Sequence, residues 1–130
     1  MAEARPWLEM ALEDRRAVAL CLAAAPPLLS AALLHSQQAA EKLMKAVLVH
    51  EGRPFRKTHD LFELARAVSE ARPDLAELAT PLAELTPWHL LGRYPGPFGF
   101  ETLPDEADVK AALPAIDAFA AAIRTLIERS

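Results

Sequence analysis

Apolar residues recur at helical spacing along most of this chain, and proline and glycine interrupt the pattern at only a few points. The longest uninterrupted stretch runs from Leu28 to Glu51 and is followed by Gly52, which suits the left-handed position just past a helix end. This stretch predicts a helix with one buried stripe, formed by Leu33, Ala40, Met44 and Val47.

A polar face lies beside that stripe. It consists of residues that also fall at helical spacing: His35, Gln38, Lys42 and Lys45. A helix that only had to pack would not need polar groups so close to its apolar side, so the face is interpreted as either a decorated surface or the wall of a site. Glu41 and Lys45 are ordered for an i,i+4 ion pair, worth only about 0.2–0.5 kcal/mol on an isolated helix.

Further helical segments are predicted on both sides of this helix. They run from Pro6 to Ala24, from His59 to Ala71, from Asp74 to Leu91 with Pro81 and Pro87 restarting or kinking the segment, and from Pro104 to Glu128. The inward side of the first is predicted to comprise Trp7, Met10, Ala11, Asp14, Ala17, Val18, Cys21 and Leu22. Helices of this length with short connections favour one domain, residues 1–130, folded as an all-α, up-and-down antiparallel bundle.

Threonines are predicted to begin several of these helices. Thr58 suits the N-cap before His59, and Thr80–Pro81 and Thr86–Pro87 have the order of a cap followed by the first helical residue. Thr102 with Asp105 imitates a capping box at the last helix.

Composition narrows the possible functions. Hydrophobic residues make up 52% of the chain with few aromatics, which favours helices. The net charge of -4 gives no general attraction to nucleic acid or anionic membrane, so phosphate binding must come from a local cluster. The one cysteine excludes an internal disulfide, and neither a signal peptide nor an apolar run of about 20 residues is present, so a soluble cytoplasmic protein is expected. No pattern of ligand spacing points to a metal or a cofactor.

Two segments carry candidate chemistry. Arg53, Arg56 and Lys57 form a basic loop before a helix start, where free backbone N–H groups bind anions, and His59 and Asp60 follow in the first turn. His59 is interpreted as a ligand contact or an acid–base group, or as a structural hydrogen-bonder. The second segment, residues 92–100, is rich in glycine and proline and predicts a loop. Arg93 there suits a phosphate, whereas Tyr94 either stacks on a base or only attaches the loop to the bundle.

In chain order, the block from His35 to Ala46, the run Lys57-Thr58-His59-Asp60-Leu61 and Arg93-Tyr94-Pro95 resemble the prokaryotic HEPN-domain family over nearly the whole chain. The resemblance implies a bundle of four long helices plus a short one, which usually forms a homodimer. It also implies a link to nucleotides or RNA. A frequent partner in the family is a nucleotidyltransferase-domain protein, within toxin–antitoxin-like modules.

Many members of that family are metal-independent ribonucleases that use an Arg followed after four to six residues by a His. Arg93 lies at about the position of that Arg, but Phe98, Gly99 and Phe100 occupy the positions where the His is expected. Arg53 and His59 have the spacing by coincidence, although His59 could approach Arg93 in space. The absence of a His after Arg93 argues against ribonuclease activity but not against binding.

Three hypotheses follow in order of preference. The first is a nucleotide- or RNA-binding module whose contacts are Lys42, Lys45, His59, Arg93 and Tyr94, supported by the polar residues His35, Gln38, Glu41 and Asp60. The second is a ribonuclease that uses Arg93 with His59 as a displaced base. The third is a helical subunit that docks a nucleotidyltransferase or a second copy of itself.

Overall fold

In a computed structural model, residues 3–96 and 103–130 are described. The helices are α1 (Arg5–Ala23), α2 (Leu29–His50), α3 (Leu61–Ala71), a 3-10 turn (Pro73–Leu75), α4 (Ala76–Ala83), α5 (Trp88–Leu91) and α6 (Glu106–Glu128). No strand occurs in these two ranges, and the predicted all-α bundle is confirmed. Among the helices described, none is both long enough and apolar enough to span a bilayer.

The central element of the bundle is α2, which packs against α1, α3, α5 and α6. Its predicted stripe of Leu33, Ala40, Met44 and Val47 is buried, as expected. The burial extends well beyond this stripe, because several polar residues of α2 are also inside the protein: Ser36, Gln37, Glu41 and Lys45. Since buried polar groups need hydrogen-bond partners, these side chains of α2 must form a hydrogen-bonding network inside the protein.

The buried face of α1 differs from the predicted one in detail. Ala11, Asp14, Val18 and Cys21 are buried as expected, but Leu8 joins them with 2% exposure. The predicted inward position of Met10 is wrong, because this residue is 52% exposed. The reason is geometric: at 100° per residue, Met10 lies about 200° around the helix from Leu8 and so points away from α2.

The start of α3 corrects a predicted cap. Asp60, not Thr58, is the N-cap, and its carboxylate accepts from the backbone N–H of Phe62 at 3.0 Å and of Glu63 at 3.4 Å. Thr58 Oγ1 instead accepts from the N–H of Asp60 at 3.0 Å. The helix therefore begins two residues later than predicted, and His59 lies in the segment before it.

The other predicted caps also change role. Thr80 lies inside α4, where its hydroxyl donates to the Ala76 carbonyl, and the break before α5 comes after Ala83. Thr86 Oγ1 accepts from the N–H of Leu61 at 3.1 Å, so it holds the start of α3 rather than that of α5. At α6 the capping box joins Asp105 to Asp108, and Thr102 lies outside the described residues.

Gly92 places the segment after α5 directly on α2. A Cβ atom at Gly92 would lie 2.7 Å from the Ser30 carbonyl oxygen, 2.7 Å from Leu34 Cβ and 2.8 Å from the Leu34 nitrogen. Backbone atoms cannot give way cheaply, so only glycine fits this approach. The contact sets where Arg93 and Tyr94 leave the bundle.

Replacing the two described helix-end glycines separates crowding from backbone strain. Gly92→Ala should lower the free energy of unfolding by about 1–3 kcal/mol, because its methyl group overpacks α2. Gly52→Ala should cost about 1–2 kcal/mol for another reason, since Gly52 has open space around it but a φ of +67°. Asparagine tolerates positive φ, so Gly52→Asn should recover stability and Gly92→Asn should not. Urea unfolding of the four variants measures these changes in stability. If Gly92→Asn were more stable than Gly92→Ala, crowding would not be the reason for the loss at Gly92.

Candidate functional site

The polar face of α2 is organised around the carboxylate of Glu41, which is 5% exposed. Its Oε1 accepts from His59 Nδ1 at 2.6 Å and from Gln37 Nε2 at 3.2 Å, and its Oε2 accepts from Lys45 Nζ at 3.1 Å. Because an ionised carboxylate only accepts, the proton of this contact resides on His59 Nδ1. The ring of His59 is thereby held in one orientation, with Nε2 as its remaining nitrogen.

The surroundings of Glu41 favour its charged form. Burial alone raises the pKa of the carboxyl, but hydrogen bonds from His59, Lys45 and Gln37 and the charge of Lys45 outweigh burial. The net result is a pKa below the ordinary value of 4.5. Glu41 therefore stays ionised at neutral pH, and its negative charge lies behind the His59 ring.

Lys45 is a structural cation in this arrangement. The residue is 7% exposed, and its ammonium lies 5.9 Å from the ring centroid of Trp7 and 5.5 Å from that of Phe55. The two rings meet edge to face at 5.9 Å. The sequence predicted a direct phosphate contact for Lys45, but its burial and its bond to Glu41 leave the charge facing the interior, so that prediction is not supported.

A second carboxylate repeats the pattern on the side of α2 that meets α1. Asp14 Oδ1 accepts from His35 Nδ1 at 2.8 Å, and its Oδ2 accepts from Lys42 Nζ at 2.6 Å. Asp14 is buried and lies on α1, so these contacts join α1 to α2, the two helices that pack together most extensively. Lys42 was also predicted to contact phosphate. Its ammonium is instead paired with Asp14, and its side chain is only 18% exposed.

His89 is a site residue that the sequence did not single out. Its ring stacks on that of His59, with the centroids 3.7 Å apart and the planes inclined by 18°. Burial, followed by the nearby charges of His59 and Arg93, lowers the pKa of His89, and Glu41 opposes the shift without cancelling it. His89 Nδ1 is buried and has no hydrogen-bond partner among the described residues. The ring is therefore favoured in its neutral form.

Arg93 lies at the surface near His89, and Tyr94 follows it in the chain. Arg93 is exposed, forms no ion pair with the described residues, and is close enough for its charge to act on His89. Tyr94 is 55% exposed. Gln38 donates to the Oε1 of Gln37 at 3.1 Å and so continues the network of Glu41.

The predicted anion site at the start of α3 is already filled by the protein. The carboxylate of Asp60 occupies the free N–H groups of the first turn, where a phosphate would otherwise bind. Arg56 of the basic loop makes two 2.7 Å contacts to Glu63. The structure thus brings His59 and Arg93 together with His89 and leaves Asp60 as a cap.

The sequence does contain one signal that links His89 of α5 to Arg93 of the following turn. His89 and Arg93 are four positions apart, which brings two residues to one side of a helix if the turn continues. Among residues 3–96 and 103–130, no three histidine, cysteine, aspartate or glutamate side chains are grouped closely enough to hold a metal ion.

A comparison with family models matches residues 4–126 to the HEPN domain. The chain belongs to the HEPN-domain family. A search of the curated proteins and one of the solved structures gave no match. The family assignment therefore rests on a match that covers both carboxylate clusters, the stacked histidines and Arg93.

Neutralising Glu41 tests whether its carboxylate holds the site together. Glu41→Gln leaves Lys45 buried without a counter-charge, so the free energy of unfolding should fall by about 3–5 kcal/mol. The matched control is Asp117→Asn, which breaks the exposed pair with Arg15 and should cost less than about 1 kcal/mol. Urea unfolding of both variants makes the comparison, and equal losses would contradict the role of Glu41.

The same variant has a defined pH dependence. The pKa of Glu41 is lower in the folded protein than in the unfolded chain, so its stabilisation is complete above pH 4.5 and is lost as pH falls through the folded pKa. Between about pH 6 and about pH 3, Glu41→Gln should therefore lose less stability than the wild type. Urea unfolding at several pH values measures the difference, and parallel curves would contradict the lowered pKa.

Proposed function

We propose that this HEPN protein binds a nucleotide or RNA through phosphate contacts from His59 and Arg93. The observation that carries the proposal is the stack of His59 on His89 beside the exposed Arg93, with the buried Glu41 holding His59 from behind. Membership of the HEPN family supports a nucleotide- or RNA-related function.

The chemistry of these groups fits a phosphate. A guanidinium donates two parallel hydrogen bonds to phosphate oxygens, and an imidazole N–H donates a third from His59 Nε2 when that atom carries a proton. Tyr94 offers a flat exposed surface on which a base can stack. Because the chain as a whole carries a net charge of -4, the affinity must come from this local group rather than from a general field.

A second candidate function is metal-independent RNA cleavage, and one observation favours it. The predicted acid–base group His59 has a second imidazole stacked against it, so the site holds two groups that can exchange protons near Arg93. General acid–base cleavage needs one group to accept the 2′-hydroxyl proton and another to protonate the leaving oxygen. Here the two imidazoles come from positions other than residues 98–100, where the family has its histidine.

We also propose that the protein forms a homodimer and acts with a nucleotidyltransferase-domain partner in a toxin–antitoxin-like module in the cytoplasm. Support comes from the family resemblance together with exposed side chains around Tyr94. Tyr94 and Leu103 are more than half exposed and line a cavity of ≈170 Å³ with Leu29 and Leu91. Light scattering of the purified protein tests the dimer.

Binding is tested by fluorescence anisotropy with a 5′-labelled single-stranded oligoribonucleotide in EDTA. Arg93→Ala removes a charged bidentate contact and should weaken binding by about tenfold or more. It should also lower the slope of log affinity against log salt by about 0.7, the value for one phosphate on a single strand. Arg124→Ala, which removes an exposed arginine of α6, is the matched control and should change neither quantity.

The outcomes separate the two candidate functions. Binding that weakens in Arg93→Ala without cleavage of the labelled RNA supports the binding module. Cleavage by the wild type that is lost in both Arg93→Ala and His59→Ala makes the protein a ribonuclease. Equal affinity in wild type and Arg93→Ala, or no binding, would contradict the proposal.

A further inference from the structure

The stacked imidazoles of His59 and His89 are electrostatically linked. With 3.7 Å between the ring centroids, a proton on one ring raises the cost of a proton on the other, as for any pair of like charges that share a site. The number of protons that the pair holds therefore depends on the charges brought near it.

The two rings differ in what surrounds their nitrogens. His59 Nδ1 is bonded to Glu41, so a second proton on this ring has a carboxylate to balance it. His89 Nδ1 is buried without a partner among the described residues, although the residue as a whole is partly exposed. A charged His89 would carry an N–H that donates to nothing, which is costly inside a protein.

The charged groups around the pair come from several elements. Helix α2 contributes Glu41 and, bonded to it, Lys45. Asp60 follows His59 and caps α3, and Arg93 follows α5 with a charge that acts on His89. Of these groups, Glu41 contacts His59 directly and Arg93 acts on His89, and Arg93 is the cation whose charge is open to a ligand.

We propose that His89 is a further ligand-binding residue, and that His59 and His89 together take up one proton from solvent when a phosphate binds beside Arg93. This inference rests on the proposed function. A bound phosphate brings negative charge to the exposed side of the stack, where it offsets the charge of Arg93 and accepts from a ring N–H. The extra proton is thereby stabilised in the complex. By linkage, binding then tightens as pH falls, by up to tenfold for each pH unit.

The test is titration calorimetry of the full chain with a short single-stranded oligoribonucleotide near neutral pH. Running it in Pipes and in ACES, buffers with different heats of ionisation, counts the protons taken up without any variant. The wild type should take up about one proton for each molecule bound. His89→Phe keeps an aromatic stack but removes the phosphate contact proposed for His89, so the uptake should fall by at least half.

The control variant is His50→Gln. His50 is a histidine of α2 whose ring contacts Ser130 Oγ at 2.9 Å, so the replacement should leave both the affinity and the proton uptake unchanged. His59→Gln provides a second variant of the stack in case His89→Phe fails to fold, and it should also reduce the uptake by at least half.

Each outcome decides the inference. Uptake near one that falls in the stack variants and persists in His50→Gln supports it. Binding with no uptake, or with uptake that neither stack variant lowers, overturns this inference and leaves the proposed function standing. No binding at any pH overturns the proposed function and this inference together.

Discussion

The rest of the structure depends on one buried interaction, the carboxylate of Glu41 held by three donors inside the bundle. A buried charge is tolerated only when it is paired and hydrogen-bonded, so α2 can pack on four neighbouring helices only because this network is complete. The same bonds fix the segment before α3 and orient His59. Asp14 repeats the device with His35 and Lys42, so each carboxylate of the core pairs with one lysine and one imidazole.

How much of this could be predicted from the sequence varies with the kind of feature. The stripe of α2 was predictable because helical periodicity alone defines it. The roles of Lys42 and Lys45 were not, because spacing assigns residues to a face without telling which part of it other helices cover. Thr58 and Asp60 are both good N-caps, and only the packing of the preceding segment decided between them.

The candidate site was predictable in part. Arg93 and His59 were identified from their residue types, whereas His89 was missed because the turn at Pro87 that brings it onto His59 depends on tertiary packing. The motif resemblance implies a His after the Arg, whereas no histidine follows Arg93 in this chain. Its imidazoles near Arg93 come from positions earlier in the chain, on α5 and before α3.

The measurement that tests the central claim most directly is a nitrogen–proton NMR titration of the labelled protein with a single-stranded oligoribonucleotide. The account predicts that the largest shifts fall on His59, His89, Arg93 and Tyr94, with smaller ones at Gln38, which is linked to Glu41 through Gln37. Shifts centred instead on the cavity that contains Arg72 and Arg129 would contradict it, because that cavity shares no residue with the Glu41 network.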